Sequence, residues 1–303
     1  MKPGVKNLSA SVLARLRNQA KKSNQTFNEV LTYYGLERFL YRITKSEYEG
    51  KFVLKGALVM VTWGASPMRI TKDMDLRAFI QPDLQSVIGV MRDICNTEVE
   101  ADAIQFDPDS IRAEQIVETA IYPGIRVRLM GFIERVRIPL QIDMAFSGPI
   151  VPEPKIRTYP TILDLPPPQI RSYPTEAIVA EKLDAIIQLG AINTRMKDFY
   201  DLWKIQSGFE FKGSLLLSSI RSIFDSRQTR LPEKTPIGIS MSFAKDNQSL
   251  WEAFLRRIGE SNPEIISFEH VIEDVWNFVE PLIQSLREDR PFNVAWSPET
   301  GWR

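Results

Sequence analysis

The sequence contains almost none of the residues that build redox, zinc or histidine-based catalytic sites. Of 303 residues, only Cys95 is a cysteine and only His270 is a histidine. One cysteine cannot form an intramolecular disulfide, and one histidine cannot supply a His-rich zinc site. We interpret Cys95 as a small buried residue rather than a nucleophile. We therefore expect no disulfide partner and a reducing, cytoplasmic location.

Long apolar runs and an excess of one charge are also missing. No apolar run approaches the roughly 20 residues that span a membrane, and residues 1–6 lack the apolar core of a signal peptide. The 38 basic and 38 acidic residues cancel, which argues against a strongly basic nucleic-acid protein. Residues 1–50 nevertheless hold nine basic and four acidic residues. This segment is either a local face for a polyanion or a solvated amphipathic helix.

The order of the patterns predicts an α/β (α+β) fold: a mixed sheet with N-terminal helices, followed by a helical C-terminal domain. Helices are predicted over 9–23, from the capping box of Thr26 and Glu29 to about 43, over 52–63, and from Asp83 to Cys95. A strand is predicted over 73–79, with strand-like alternation from 104 to 118. A hairpin pairs 125–129 with 136–144, and Pro139 marks an edge or bulge.

The proline distribution divides the chain. We predict an α/β domain over 1–150, a Pro-rich connector over 151–172 and a helical domain over 173–303. In the last domain the apolar spacing predicts helices over about 174–189, 194–207, 212–225, 247–258 and 267–287. Residues 288–303 are predicted to be a loose tail.

Two aspartates two positions apart form the first candidate site. Asp73 and Asp75 alternate with the apolar Met74 and Leu76, and in a strand this puts both carboxylates on one face. Neighbouring carboxylates repel each other, and Mg²⁺ typically binds one or two carboxylates plus substrate phosphates. A solvated strand edge is the alternative. The apolar flanks and the upstream Gly56 favour a metal site.

Asp143 is the candidate third carboxylate. It lies between Ile142 and Met144 on the polar face of the second hairpin strand. Two-metal nucleotidyl transfer uses a carboxylate that completes the site of the metal activating the attacking hydroxyl. The alternative is a surface aspartate at a strand end. Four arginines lie on the same hairpin, where they either bind the RNA backbone or keep an exposed sheet face soluble: Arg126, Arg128, Arg135 and Arg137.

Lys182 is a lysine beside an apolar helix face. It lies between Ile178 and Ile186 at helical spacing, whereas Glu181 and Asp184 are predicted to point away from that face. A half-buried lysine needs an anion, which is either a triphosphate or a structural aspartate.

The stretch from Arg195 to Trp203 is the last candidate motif. Arg195 and Asp198 have the i, i+3 spacing of an intrahelical pair, worth a few tenths of a kcal/mol. Asp198 either pairs with Arg195 alone or orients Lys182 or a nucleotide. Asp201 is predicted to point elsewhere on the helix.

Together these motifs resemble the AbiEii/AbiGii (MenT-like) nucleotidyltransferase toxin family of type IV abortive-infection and toxin–antitoxin systems. The resemblance rests on Lys55-Gly56-Ala57, on Arg69 to Leu76, on Asp143, on the helix around Lys182 and on the Arg195 motif. It implies a nucleotidyltransferase-like fold, with the helical domain completing an active-site cleft. It implies catalysis by Asp73, Asp75, Asp143, Lys182 and Asp198. It implies nucleotide binding by Lys55, Gly56, Arg69, Thr71, Lys72, Lys182 and Arg195.

The resemblance also implies cofactors and partners. These are Mg²⁺ or Mn²⁺ held by the three aspartates, an NTP as co-substrate, RNA as acceptor with the tRNA 3′ end expected, and a cognate antitoxin encoded nearby. Two alternatives remain open at this point. One is a non-catalytic nucleic-acid or partner-binding protein on a transferase fold. The other is a small-molecule nucleotidyltransferase of the antibiotic-modifying type.

Overall fold

The computed structural model describes residues 7–63, 71, 73–119, 122–260 and 266–303, which fall into two compact units. The first unit comprises Met1–Ser147 and Lys155–Ser172, and the second comprises Gly148–Pro154 and Tyr173–Arg303. The first unit is a mixed α/β structure and the second is mainly helical. The fold class predicted from the sequence is therefore confirmed.

A mixed sheet organises the first unit. In chain order its elements are α1 (Leu8–Ser23), α2 (Phe27–Lys45), β1 (Phe52–Lys55), α3 (Gly56–Val61), β2 (Asp73–Ala78), α4 (Leu84–Cys95), β3 (Gln105–Thr119), β4 (Tyr122–Ile133), β5 (Val136–Ala145), β6 (Lys155–Thr158) and β7 (Gln169–Ser172). Across the sheet the seven described strands run β3-β4-β5-β2-β1-β7-β6. Strand β2 is parallel to β5 and antiparallel to β1. This order puts β2 at the centre.

The helix starts follow from capping side chains. Asn7 accepts a hydrogen bond from the amide of Ala10, and Asp83 accepts one from the amide of Ser86. Thr26 and Glu29 form the reciprocal capping box expected from the sequence. These contacts satisfy amides that have no partner within the first turn of a helix. The predictions of α1, α2 and α4 are confirmed, each within about two residues.

The predicted helix over 52–63 is wrong in its first four residues. Phe52–Lys55 is strand β1, paired with β2 on one side and with β7 on the other, and all four residues are buried. Only Gly56–Val61 is helical. A short apolar run fits a buried strand and a buried helix equally well, so the sequence pattern alone could not separate them.

Gly35 allows α2 to lie close to strand β5. A Cβ atom at Gly35 would come within 2.9 Å of the side chains of Ile138 and Leu140. The glycine therefore permits close packing of α2 against β5 and does not interrupt the helix. Pro139 lies in a part of β5 where β4 is the paired neighbour, because the described pairing with β2 starts at Gln141. The prediction of a local edge at this proline is confirmed.

Two arginines of the basic N-terminal segment are used inside the first unit. Arg38 and Arg42 are buried, and both bind the carboxylate of Asp102, at 3.0 and 2.8 Å. The amide of Ile162 donates to Glu37, at 2.7 Å. Burial of a charge requires such partners. The excess of basic residues in the N-terminal segment is thus not all available to a polyanion, and this weakens the argument for a nucleic-acid face.

The second unit is built from helices and a small sheet. Its elements are α5 (Thr175–Leu189), α6 (Met196–Gly208), β8 (Phe211–Lys212), α7 (Gly213–Arg227), α8 (Met241–Asp246), α9 (Gln248–Ile258), α10 (Phe268–Arg287), β9 (Ala295–Ser297) and β10 (Gly301–Trp302). The five helices predicted for this part are confirmed, and α8 is an addition. In the described ranges, no helix is long and apolar enough to cross a membrane.

The predicted loose tail over 288–303 is wrong. The indole N–H of Trp296 donates to the carbonyl of Gln206, and that of Trp302 donates to the carbonyl of Phe278. The ring of Trp302 also stacks on Phe278, with centroids 5.6 Å apart. Large aromatic side chains with a satisfied N–H anchor a segment that lacks helical or alternating periodicity. The aromatic content of the tail was the signal for this structure.

Candidate active site

The two aspartates of strand β2 share one face, as the alternation predicts. Asp73 and Asp75 are partly exposed, whereas Met74 and Leu76 are fully buried. Successive strand residues point to opposite faces of a sheet, and the apolar pair occupies the core side. The backbone therefore holds both carboxylates on the face opposite the core.

Pairing of β2 with β5 brings the third aspartate to this face. Asp75 lies opposite Asp143 in the parallel ladder, and Asp73 lies opposite Gln141. Directly paired residues on neighbouring strands carry their side chains on the same face of the sheet. The three aspartates that the sequence singled out are thus brought together within the first unit, although they are far apart along the chain.

Asp143 is bound by an arginine. The Nε and Nη2 atoms of Arg126 donate to its two carboxylate oxygens at 2.8 and 2.7 Å. Asp143 is 7% exposed, and Arg126 lies opposite it on β4. The hydrogen bonds from Arg126 to Asp143 raise the pKa of this guanidinium above its ordinary value, and the charge of Asp73 contributes to the same shift. Arg126 therefore remains positively charged.

Sequence reasoning did not find this pair, although the sequence contained the signal. It left Arg126 as either an RNA contact or a solubilising residue. A two-residue turn at Glu134 and Arg135 pairs Ile133 with Val136. The same register, carried back along both strands, pairs Arg126 with Asp143. The predicted hairpin was thus the signal, but only the observed register fixes which residue lies opposite Arg126.

Gly56 leaves room for the Asp75 carboxylate. Its φ angle is +68°, and a Cβ atom there would come within 2.7 Å of Asp75 Cγ. The conformation favours glycine, and the overlap excludes a side chain. Lys55, directly before it, is buried and lies opposite Asp75 in the ladder between β1 and β2. The Lys55-Gly56 dipeptide is therefore positioned against the acidic face.

The remaining predicted nucleotide contacts of this unit are only partly described. The amide of Thr71 donates to the hydroxyl of Tyr33 on α2, at 2.9 Å. This contact ties Thr71 to the α2 helix. Arg69 and Lys72 lie outside the described residues, so their proposed phosphate contacts stay predictions.

A cavity of about 390 Å³ opens beside Asp73. Besides Asp73 it is lined by residues of α2, β3, β4 and β5, among them Thr32, Arg128, Pro139 and Gln141. It lies where Pro139 and the start of β2 interrupt the pairing of the sheet. This space has the size of a small-ligand pocket.

The donor set fits a hard divalent cation in part. Asp73 and Asp75 supply carboxylate oxygens two residues apart on one face, which suits Mg²⁺ or Mn²⁺ together with substrate phosphates. Asp143 is arranged differently, because both of its oxygens accept hydrogen bonds from Arg126. Within the described ranges, no three His, Cys, Asp or Glu side chains are arranged as a metal site.

The second unit contains a buried cluster around Lys182. The Nζ atom of Lys182 donates to Asp198 at 2.8 Å and to Asp201 at 2.7 Å. Arg195 Nε lies 2.7 Å from the other oxygen of Asp198. The Lys182 side chain is 12% exposed, and the two carboxylates are 2% and 0% exposed. Helices α5 and α6 thus bury both carboxylates against Lys182, and the partly exposed Arg195 approaches Asp198 from the start of α6.

This arrangement corrects the prediction for Asp201 and lowers the pKa of Asp198. Asp201 was predicted to point elsewhere on the helix than Asp198, but both aspartates bind Lys182. The helix rotation between positions 198 and 201 is small enough for a lysine on α5 to reach both. Burial alone would raise the pKa of Asp198, but the charges of Lys182 and Arg195 outweigh it and hold that pKa below its usual range.

Asp184 is a further buried acid on α5. The sequence placed it away from the buried face, but it is fully buried and accepts hydrogen bonds from Arg227 and Thr229. Helix α7 supplies Arg227, and its packing against α5 covers the side that a single-helix projection treats as solvent. We interpret this cluster as structural. Burial raises the pKa of Cys95 to about 12, which agrees with a small buried thiol.

Comparisons with known proteins give one family and several solved structures, of which two follow. A candidate nucleotidyltransferase from H. pylori is 14% identical, with 84% of this chain and 94% of that chain covered and a TM-score of 0.45. JHP933 from Helicobacter pylori is 15% identical, with coverages of 83% and 90% and a TM-score of 0.44. No curated protein matches significantly. The model of the family described as nucleotidyl transferase AbiEii toxin, type IV TA system, matches residues 38–280, and the chain belongs to this family.

Proposed function

We propose that this member of a nucleotidyltransferase toxin family transfers the nucleotide of an NTP to RNA, with the tRNA 3′ end as acceptor. A hydroxyl oxygen of the RNA bonds to the α-phosphorus of the NTP, and pyrophosphate leaves. Modification of that end would block translation and growth. One observation carries the proposal of catalysis. The β2–β5 register sets Asp75 beside Asp143, with Asp73 on the same face and a cavity alongside. The choice of RNA rests on membership of the family.

The acidic face is the proposed place for divalent cations and the NTP. Asp73 and Asp75 would hold Mg²⁺ or Mn²⁺, with Asp143 as the third ligand. Bound there, such ions lower the barrier by stabilising the attacking and leaving oxygens of the phosphoryl group. Gly56 keeps the backbone of α3 clear of Asp75. Lys55, Thr71 and the stretch that contains Arg69 and Lys72 are proposed to contact the nucleotide.

Lys182 is proposed to bind the phosphates, and Asp198 to orient it. The support is the geometry of the second unit, where Asp198 and Asp201 fix the ammonium by two short hydrogen bonds. Charge-assisted bonds of this kind restrict a flexible lysine to one position. We extend the positioning role to Asp201, and we keep Arg195 as a nucleotide contact on the resemblance of its motif.

Incubation with total RNA and each labelled NTP in turn tests the proposal. We expect label in RNA of tRNA size with one or a few of the four NTPs, and none with Asp75→Ala. Asp109→Ala is the matched control, because Asp109 is an acidic residue of the same sheet whose side chain is 90% exposed. Label in small molecules instead of RNA would support the antibiotic-modifying alternative. Absence of any transfer by folded wild-type protein would support the non-catalytic alternative.

Membership of a type IV toxin–antitoxin family implies a cognate antitoxin. We propose that a neighbouring gene encodes it and that its product relieves growth inhibition. Expression of the chain alone should slow bacterial growth, whereas the Asp75→Ala variant at equal soluble level should not. Unimpaired growth with wild-type protein, at verified soluble expression, would contradict the proposed toxicity.

A further inference from the structure

Charged residues form a row across five strands on the face that carries the aspartates. In the order β3, β4, β5, β2 and β1, paired positions hold Glu114, Arg126, Asp143, Asp75 and Lys55. Because directly paired residues share a face, these side chains are neighbours in this order. Asp75 and Asp143 are the adjacent pair of equal charge. A cation beside Asp143 is therefore favoured by both carboxylates.

Arg126 already occupies that place. Its two bonds to Asp143 are short and parallel, and the Arg126 side chain is only 30% exposed. The neighbouring pair of Arg128 and Glu114 has a single contact of 2.7 Å, and both of its side chains are 52% exposed. Bidentate pairs that are shielded from water are stronger than single exposed ones. The Arg126–Asp143 pair is thus the stronger of the two ion pairs.

We propose that Arg126 is the resident counter-ion of Asp143, and that a second divalent cation binds only after Arg126 releases this carboxylate. The inference rests on the proposed function, because it takes Asp73 and Asp75 as the ligands of the first cation. Arg126 is accordingly a positioning residue: it holds the Asp143 carboxylate in one orientation while the nucleotide is absent.

Electrostatics gives the reason for the order of binding. A divalent cation that approaches Asp143 meets the positive charge of the guanidinium on the same two oxygens, and like charges a few ångströms apart repel strongly where water is partly excluded. A triphosphate changes this balance, because it supplies oxygen ligands to the cation and new acceptors to the guanidinium. The second cation is therefore expected to arrive with the nucleotide.

Counting bound Mn²⁺ on the full chain without nucleotide tests the inference. Electron paramagnetic resonance of free Mn²⁺ during a titration gives the stoichiometry without any need for activity. We expect one tightly bound ion for the wild type and two for Arg126→Met, which keeps the bulk of the arginine stem and removes its charge. Asp143→Asn in the Arg126→Met background should return the count to one.

Arg128→Met is the matched control. It removes the same charge from the same strand of the sheet, but from the exposed pair with Glu114, so one bound ion is expected. If Arg126→Met does not fold, Arg126→Lys replaces it. A lysine cannot make the bidentate contact, and it should raise the affinity of the second Mn²⁺ at least severalfold over the wild type.

The outcomes separate this inference from the proposed function. Two ions on the wild type without nucleotide, or one ion on folded Arg126→Met, would overturn the inference and leave the first site intact. An affinity of Arg126→Lys for the second Mn²⁺ equal to that of the wild type would also overturn the inference. No bound ion on any variant would instead overturn the metal assignment of Asp73 and Asp75, and the inference with it.

Discussion

The two units hold their carboxylates in opposite ways. In the second unit, Asp198 and Asp201 are buried, both bind the nearly buried Lys182, and the partly exposed Arg195 lies beside Asp198. In the first unit, Asp73 and Asp75 are partly exposed and share one sheet face with Asp143. Buried charges must be balanced for the chain to fold, whereas carboxylates of equal sign on one partly exposed face suit a divalent cation as ligands. We therefore expect the acidic face to govern activity and the Lys182 cluster to govern stability as well.

The largest effect should come from the acidic face. Asp73→Ala and Asp75→Ala should each lower NTP transfer by at least about 100-fold, because each removes a proposed ligand of the catalytic cation. Circular dichroism should show an unchanged fold, since neither side chain is part of the core. Full transfer by either folded variant would contradict the catalytic assignment, and loss of the fold would assign that aspartate a structural role.

Mutation of the Lys182 cluster should lower the stability of the protein. Lys182→Met should lower the free energy of unfolding by roughly 3–5 kcal/mol, because it removes the cation that the buried Asp198 and Asp201 share. Denaturant unfolding measures the change, and adding Asp201→Asn should recover part of it. The control is Lys197→Met on the exposed side of α6, expected within about 0.5 kcal/mol of the wild type.

Activity of the same variant tests the second role of Lys182. If Lys182 also binds the phosphates, the folded fraction of Lys182→Met should lose at least tenfold in turnover or NTP affinity, as expected for one charge-assisted contact of about 1.5–3 kcal/mol. A destabilised variant whose folded fraction is fully active would contradict phosphate binding and leave the lysine a purely structural role.

Glu37 extends the comparison to a buried carboxyl group whose cost of burial is only partly offset by its hydrogen-bond and charge partners. Burial raises its pKa from 4.5 to about 7, and the amide of Ile162 and the charge of Arg38 only partly oppose this. Between these two pH values the folded chain binds more protons than the unfolded chain. The free energy of unfolding should therefore fall as the pH rises through this window, by roughly 3 kcal/mol, and stay constant above it.

Glu37→Gln should remove this pH dependence. The amide oxygen can still accept from Ile162, and the variant should be more stable than the wild type at pH 8 but not at pH 4. Unfolding in denaturant at both pH values measures the difference. Glu47→Gln is the control, because Glu47 is exposed. Equal pH profiles of Glu37→Gln and wild type would show that Glu37 does not titrate in this range.

The smallest stability effect concerns the glycine beside the acidic face. Gly56→Ala should lower the free energy of unfolding by about 1–2 kcal/mol, because alanine is strained at a φ angle of +68°. Gly259→Ala is the matched control. Its φ angle of +75° imposes a similar backbone strain, but the new Cβ atom would meet no other atom within 4 Å. Only Gly56→Ala should also lower NTP transfer, since its Cβ displaces Asp75. Equal transfer by both variants would show that the position of Asp75 tolerates the shift.

Local patterns were reliable where neighbours along the chain decide the structure. The capping box of Thr26 and Glu29, the alternation around Asp73 and Asp75, and the helices of the second unit depend on contacts within a few residues. The errors occurred where distant segments decide. Phe52–Lys55 is a strand because β2 and β7 flank it, and the C-terminal tail is ordered because its tryptophans pack on α10.

The sequence by itself determined the residue types of the candidate site: the Asp-x-Asp strand face, the third aspartate on a later strand, and a lysine on a helix flank near an acidic motif. Only the tertiary structure decided which charges meet. Strand register put Arg126 on Asp143, and packing of α5 against α6 put Asp201 on Lys182. The physical reason is that periodicity assigns a side chain to a face, whereas its partner is set by register and packing between segments far apart in the chain.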